Sequence, residues 1–199
     1  MKKTTVLAAV AMALTASPAF AHLNPAEHGS FAAGFTHPLS GADHILAMVA
    51  VGLWAAMLGG RALFVVPAAF VGVMLLGFVA ALLGMPLPFV EPVILASVVV
   101  LGLMVALAFP VTPVVGALIA GFFAFFHGHA HGGEIGGATF LSYAAGFALA
   151  TALLHAAGMG VGLAAGRLMA GRNGKIALRL AGGATALGGL MLMAGGGVT

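Results

Sequence analysis

Residues 37–54 read HPLSGADHILAMVAVGLW, and the rest of the chain can be placed from this stretch. From Ile45 onward it is an unbroken apolar run of the kind a membrane-spanning helix needs. Its first half sets His37, Asp43 and His44 at the mouth of that run. On a continuous helix His37 and His44, seven residues apart, would share one face, with Asp43 about 100° around the axis from His44. Ionisable side chains are expensive beside a membrane span, so three of them together point to function.

Composition carries the membrane reading over the whole length. Of 199 residues, 62% are hydrophobic and only 6% are charged, and the mean hydropathy is +1.20. A soluble domain could not cover its surface with so little charge. The apolar runs are continuous rather than alternating, which predicts an all-α polytopic membrane protein and not a membrane barrel. The formal charge of +3 includes Lys2 and Lys3, which fall in a segment expected to be removed, so the basic balance does not imply nucleic acid. There is no cysteine, which excludes disulfides, thiolate metal sites and a cysteine nucleophile. Any metal must be held by imidazole, carboxylate, backbone or water, a set suited to borderline divalent ions.

Residues 1–21 read as a secretory signal peptide: Lys2 and Lys3, an apolar core from Val6 to Leu14, and a small-x-small site at Ala19-Phe20-Ala21. The core is too short to span comfortably as an anchor. Cleavage would leave His22 as the mature terminus, offering an amine and an imidazole together. Residues 22–199 are then expected to form one transmembrane domain without a linker or second domain. A polar lead-in with Glu27 and His28 precedes six spans, at about 39–58, 62–83, 91–109, 113–127, 138–162 and 176–194. Gly59-Gly60-Arg61 ends the first, Pro86 and Pro88 close the second, and Pro110 and Pro113 bracket the turn into the fourth.

Charge supports this topology independently. With the mature N-terminus outside, the loops near Arg61 and Pro110 and between Arg167 and Arg179 lie inside. All five mature basic residues (Arg61, Arg167, Arg172, Lys175, Arg179) fall there, as the positive-inside rule requires. Every acidic residue and seven of the eight histidines then lie at or near the outer face. Gly158, Gly162 and Gly166 form a small-xxx-small seam for helix packing or for a homo-oligomer.

Two constellations could carry chemistry. In the first, Ser40 and Asp43 could merely cap a helix, but capping leaves the two histidines unexplained. Pro38 biases His37 away from helical geometry, so His37 is expected in a loop that reaches back over the span. The second is FHGHAHGGE at residues 126–134. His127, His131 and Glu134 recur at i, i+4 and i+7 and would line one side of a continuing helix, although the HExxH of metalloproteases is absent. The competing reading is a nonspecific histidine-rich loop; Glu134 in register favours a specific site. His129 should point elsewhere. Glu91, before the third span, is equally a helix N-terminal acid. His155 lies about 17 residues into the fifth span, roughly 25 Å along it, as a buried hydrogen-bonded histidine or an inner ion station. The methionines, Met48, Met57, Met74 and Met104 among them, read as core filler.

HPLSGADHILAMVAVGLWA followed by FHGHAHGGE resembles the HupE/UreJ family of bacterial nickel and cobalt permeases, and the resemblance extends over nearly the whole chain. It implies a non-enzymatic inner-membrane permease for Ni²⁺ or Co²⁺ as substrate; the signal peptide and six spans put both mature termini in the periplasm. No prosthetic group is expected, and members are similar in often accompanying hydrogenase or urease. By that resemblance His37, Asp43 and His44 recognise the metal, Glu91, His131 and Glu134 are further polar positions needed for transport, and His127 belongs to the same FHG motif. His22 is added as a mature-terminus ligand. The expected partners are a divalent ion and lipid, and no nucleic acid. No GxxxxGK[ST] loop is present, so nothing suggests nucleotide-driven transport. Rival readings are a membrane-embedded zinc hydrolase, a metal-binding membrane protein without flux, and a diheme carrier, for which only His155 is deep enough.

Overall fold

A computed structural model describes residues 30–133, 140–168 and 172–195. The signal-peptide segment, His22, Glu27, His28 and Glu134 lie outside the described residues. Within them the chain forms seven helices and no strand: α1 (Phe31–Ser40), α2 (Ala42–Leu58), α3 (Ala62–Leu82), α4 (Val90–Ala106), α5 (Pro113–Gly132), α6 (Phe140–Leu168) and α7 (Arg172–Ala194).

The punctuation comes from local chemistry. Ser30 caps α1 by accepting from the Ala33 amide at 3.0 Å, and Thr112 caps α5 by accepting from Val115 at 3.4 Å. Pro113 opens α5, where its missing N–H is harmless. Gly59 and Gly60 end α2 at φ 70° and 52°, backbone angles that glycine adopts without penalty. The opening stretch departs from expectation. His37 is helical, inside α1 with Pro38 beside it, and the chain breaks at Gly41 in an extended conformation. Helices α1 and α2 therefore meet at 84° instead of running as one rod. His37 is thus helical against the steric bias that the following proline imposes.

Helices α3, α5, α6 and α7 are each long and apolar enough to cross a membrane, and the bent α1–α2 pair raises the number to five if it is one span. Helix α4 is apolar but shorter, at 17 residues. These apolar helices make the chain a multi-pass membrane protein. Its outward side chains, such as Phe64, Leu76, Leu118 and Leu153, suit lipid contact. Trp54, Phe70, Met48, Met74 and Phe78 fill the interior, so two of the methionines expected to be filler are core residues.

Four helix pairs close on reciprocal glycines. Gly34 and Gly146 join α1 to α6, Gly52 and Gly158 join α2 to α6, Gly77 and Gly128 join α3 to α5, and Gly102 and Gly182 join α4 to α7. At each, a Cβ would collide with the facing backbone, so the missing side chain sets the helix separation. Gly158 and Gly162 of the expected seam thus pack inside the chain against α2, whereas Gly166 faces open space.

Candidate metal centre

The N-terminal ends of α2, α4 and α6 and the C-terminal ends of α1, α3 and α5 meet at one end of the bundle. The bend at Gly41 brings His37 from the last turn of α1 over the first turn of α2. The rings of His37 and His44 lie 6.2 Å apart, edge to face, although the continuous helix expected to align them is broken. Gly41 is required by proximity. A Cβ there would stand 2.7 Å from Asp43 Oδ1 and 3.2 Å from His44 Nδ1.

Asp43 does not act as a helix cap. The N-cap position of α2 is Gly41, with no side-chain capping bond, and the Ser40 hydroxyl donates to the His37 carbonyl at 2.7 Å. Asp43 Oδ2 instead sits 3.1 Å from His44 Nδ1. A carboxylate behind one ring nitrogen keeps the proton there, fixes the ring and leaves Nε2 basic, the arrangement that supports histidine ligands of metals.

That nitrogen faces a partner from the other constellation. His44 Nε2 and His131 Nε2 are 2.8 Å apart, across 87 residues of sequence. Two nitrogen ligands at about 2.0–2.1 Å from one ion and at right angles to each other would be about 2.9 Å apart, so the spacing also suits cis coordination. Around this pair, the His37 ring lies 4.3 Å from that of His131 and the His127 ring 4.9 Å from that of His44.

His127 is held from a third element. Ser97 on α4 donates its hydroxyl to the Ile94 carbonyl at 2.5 Å, so its oxygen is left to accept from His127 Nε2–H at 3.0 Å. That assignment makes Nδ1 the basic nitrogen of His127. It is buried and has no hydrogen-bond partner among the described residues. Phe147 and Tyr143 of α6 wall the cluster: Phe147 lies 5.0 Å from the His131 ring and Tyr143 lies 6.3 Å from that of His37.

Exposure falls from rim to interior. The Asp43 side chain is 23% exposed and His37 half-buried, His44 and His131 are 5% and 6% exposed, and His127 is fully buried. The donor set is all nitrogen and oxygen, which suits a borderline ion that must also be released. Among the described residues no three such side chains already close on a single ion. The facing His44–His131 pair is the nucleus, with His37 and His127 beside it.

Of the residues singled out from sequence, the structure brings together His37, Asp43, His44, His127 and His131. Glu91 stands exposed in the first turn of α4, with no ion pair among the described residues. His129 points away, as expected, and donates from Nε2 to the Met85 carbonyl at 2.7 Å. Sequence pattern passes over Gly41, Ser97, Tyr143 and Phe147. Ser97 had a signal, being the lone hydroxyl in the apolar run 93–109, and Tyr143 is the single tyrosine; Phe147 had none.

At the opposite end, Trp54, Phe109, Arg167, Lys175 and Arg179 line a cleft of about 680 Å³. Trp54 Nε1 donates to the Phe109 carbonyl at 3.3 Å, and Arg179 Nε donates to the open Ala106 carbonyl at the end of α4, at 2.7 Å. Histidines and basic residues thus occupy opposite ends.

A family model described as HupE / UreJ protein matches residues 10–192. Protein HupE of Rhizobium leguminosarum bv. viciae is 46% identical over 198 residues, covering 98% of this chain and 98% of that protein. No solved structure matches the chain.

Proposed function

The chain belongs to the HupE / UreJ family, and on that premise we propose that it is a secondary permease taking up Ni²⁺, with Co²⁺ as an alternative cargo, across the bacterial inner membrane. The observation that carries the reading is the pair of Nε2 atoms on His44 and His131 facing each other at 2.8 Å, with Asp43 behind His44. His37 and His127 flank that pair, and Glu91, Glu134 and His22 are assigned as further ligands on the path to it. In this reading residues 1–21 are a cleaved signal peptide. The bent α1–α2 pair and the shorter α4 complete six spans, and both mature termini are periplasmic.

The mechanism follows from ion chemistry. A divalent ion leaves water only where fixed donors replace its shell, and it moves on only where none binds too tightly. The rim carboxylate attracts it, the buried imidazoles replace water as exposure falls, and the absence of thiolate keeps release accessible. An inside-negative potential of about 100 mV contributes roughly 4.6 kcal/mol to inward movement of a double charge.

The test is uptake of radioactive Ni²⁺, with Co²⁺ in competition, by liposomes carrying the full chain or its His44→Ala variant. Uptake above that of empty vesicles is expected from the unaltered chain alone, and accumulation against the gradient when an inside-negative potential is imposed. Flux indistinguishable from empty vesicles, with Ni²⁺ still bound, would leave a metal-binding protein without transport; zinc-dependent hydrolysis in its place would make the centre an enzyme.

A further inference from the structure

His155, on α6, has no place in the outer centre. It is completely buried, and neither ring nitrogen has a hydrogen-bond partner among the described residues. A buried imidazole ordinarily satisfies at least one nitrogen, so the expectation of a hydrogen-bonded core histidine is not met. Packing alone would be served as well by a phenylalanine or leucine.

Its position is the second observation. The backbone carbonyl of His155 lies against Gly52, eight residues beyond His44 on α2, or about 12 Å along the helix. Gly162, two turns further along α6, together with Trp54 already lines the basic cleft. His155 therefore stands between the outer histidines and the opposite end of the bundle.

One ring touches both His155 and the outer centre. Phe70 of α3, fully buried, lies 5.7 Å from the His127 ring and 5.0 Å from the His155 ring. One turn along on each helix, Thr151 donates its hydroxyl to the Met74 sulfur at 3.7 Å. Both lie nearer the histidine end than Phe70 and His155 do, so thioether and hydroxyl line the approach to the phenyl ring, and a borderline divalent ion accepts nitrogen and soft sulfur together.

We propose that His155 is an inner station for the transported divalent cation, separated from the outer centre by the Phe70 ring, which must turn aside for the ion to pass. The inference rests on the permease reading. A first ion held among His44, His131 and His127 waits at the phenyl barrier. Displacement of the ring brings His127 Nδ1 and His155 within one handover, and the ion then continues toward the basic end.

The experiment uses the full chain in liposomes with radioactive Ni²⁺, comparing it with His155→Leu, His155→Gln and Phe70→Ala. Both His155 variants should bind Ni²⁺ at the outer centre as the unaltered chain does, while their initial uptake falls by about tenfold or more, since losing a ligand costs at least as much as losing the partner behind one. Undiminished uptake by either folded His155 variant overturns the station. Absence of flux from the unaltered chain overturns instead the permease reading beneath it. Should leucine prevent folding, as judged by gel filtration, glutamine decides, being close in size and polar. Bound Ni²⁺ per chain supplies a readout independent of flux: Phe70→Ala should gain an ion, and Phe70→Ala with His155→Gln should lose it again. Equal stoichiometry in those two variants would count against the barrier.

Discussion

Two histidines of the outer centre each commit one ring nitrogen to a protein partner, which on the permease reading leaves the other for an ion. His44 gives Nδ1 to Asp43, and His127 gives Nε2 to Ser97. Asp43→Asn should therefore lower metal uptake by about 10–100-fold, the usual cost of removing a carboxylate behind a histidine ligand, with membrane insertion unchanged. Loss of insertion instead would restore the capping explanation of Asp43. Ser97→Ala frees the His127 tautomer, and uptake should fall by about tenfold while the outer pair still binds Ni²⁺. His129→Ala removes a bond to the Met85 carbonyl, about 1 kcal/mol of stability, and should leave uptake close to normal. Asp43, His44, His127 and His131 were legible because their residue types are costly in apolar runs. Phe70 and Phe147 were not, because nothing in sequence separates them from the other phenylalanines among the chain's fourteen. Which aromatic faces a histidine is decided by helix rotation, a tertiary property.

The bend at Gly41 makes the centre. A continuous helix through residues 37–58 would have set His37 two turns from His44 along one rod; the 84° break folds α1 across the mouth instead. Pro38 pointed to irregularity nearby, but the break falls three residues later, where glycine leaves room for the Asp43 carboxylate and the His44 ring. The φ of −92° at Gly41 is open to alanine, so Gly41→Ala tests crowding and not backbone strain. It should push Asp43 off His44 and weaken Ni²⁺ binding by about tenfold or more, with little change in melting temperature. The glycine seams separate into two kinds. Gly52→Leu or Gly128→Leu meets facing backbone and should cost at least the ~1–3 kcal/mol of overpacking, seen as a lower melting temperature in detergent. Gly166→Leu and Gly183→Leu point into open space and should melt like the unaltered chain. Continuous apolar runs locate α2 to α7, but α1 falls largely where a polar lead-in is expected. Such runs could not say which glycines close on a neighbour, since that depends on which helices pair.

On the permease reading, polarity of the whole molecule decides whether the centre imports or exports. The clustered His37, His44, His127 and His131 sit at one end, and Arg167, Lys175 and Arg179 line the cleft at the other; the basic end should face the cytoplasm. This much was readable from charge placement alone, because charge sorting acts on loops and needs no knowledge of packing. The expected six spans require a bent pair and a 17-residue helix each to cross, both poor matches to a straight crossing of about 20 residues. Because the chain has no cysteine, single replacements can test orientation against no background. Met85→Cys lies at the histidine end, while Arg61→Cys and Arg172→Cys lie at the basic end, and all three positions are exposed. In intact spheroplasts a membrane-impermeant maleimide should label the first at once, and the other two only after the membrane is opened. The reverse pattern would put the imidazole cluster in the cytoplasm. The membrane potential would then oppose outward movement of a divalent ion by roughly 4.6 kcal/mol at about 100 mV, and an unpowered permease so oriented could neither capture scarce metal from outside nor drive it out.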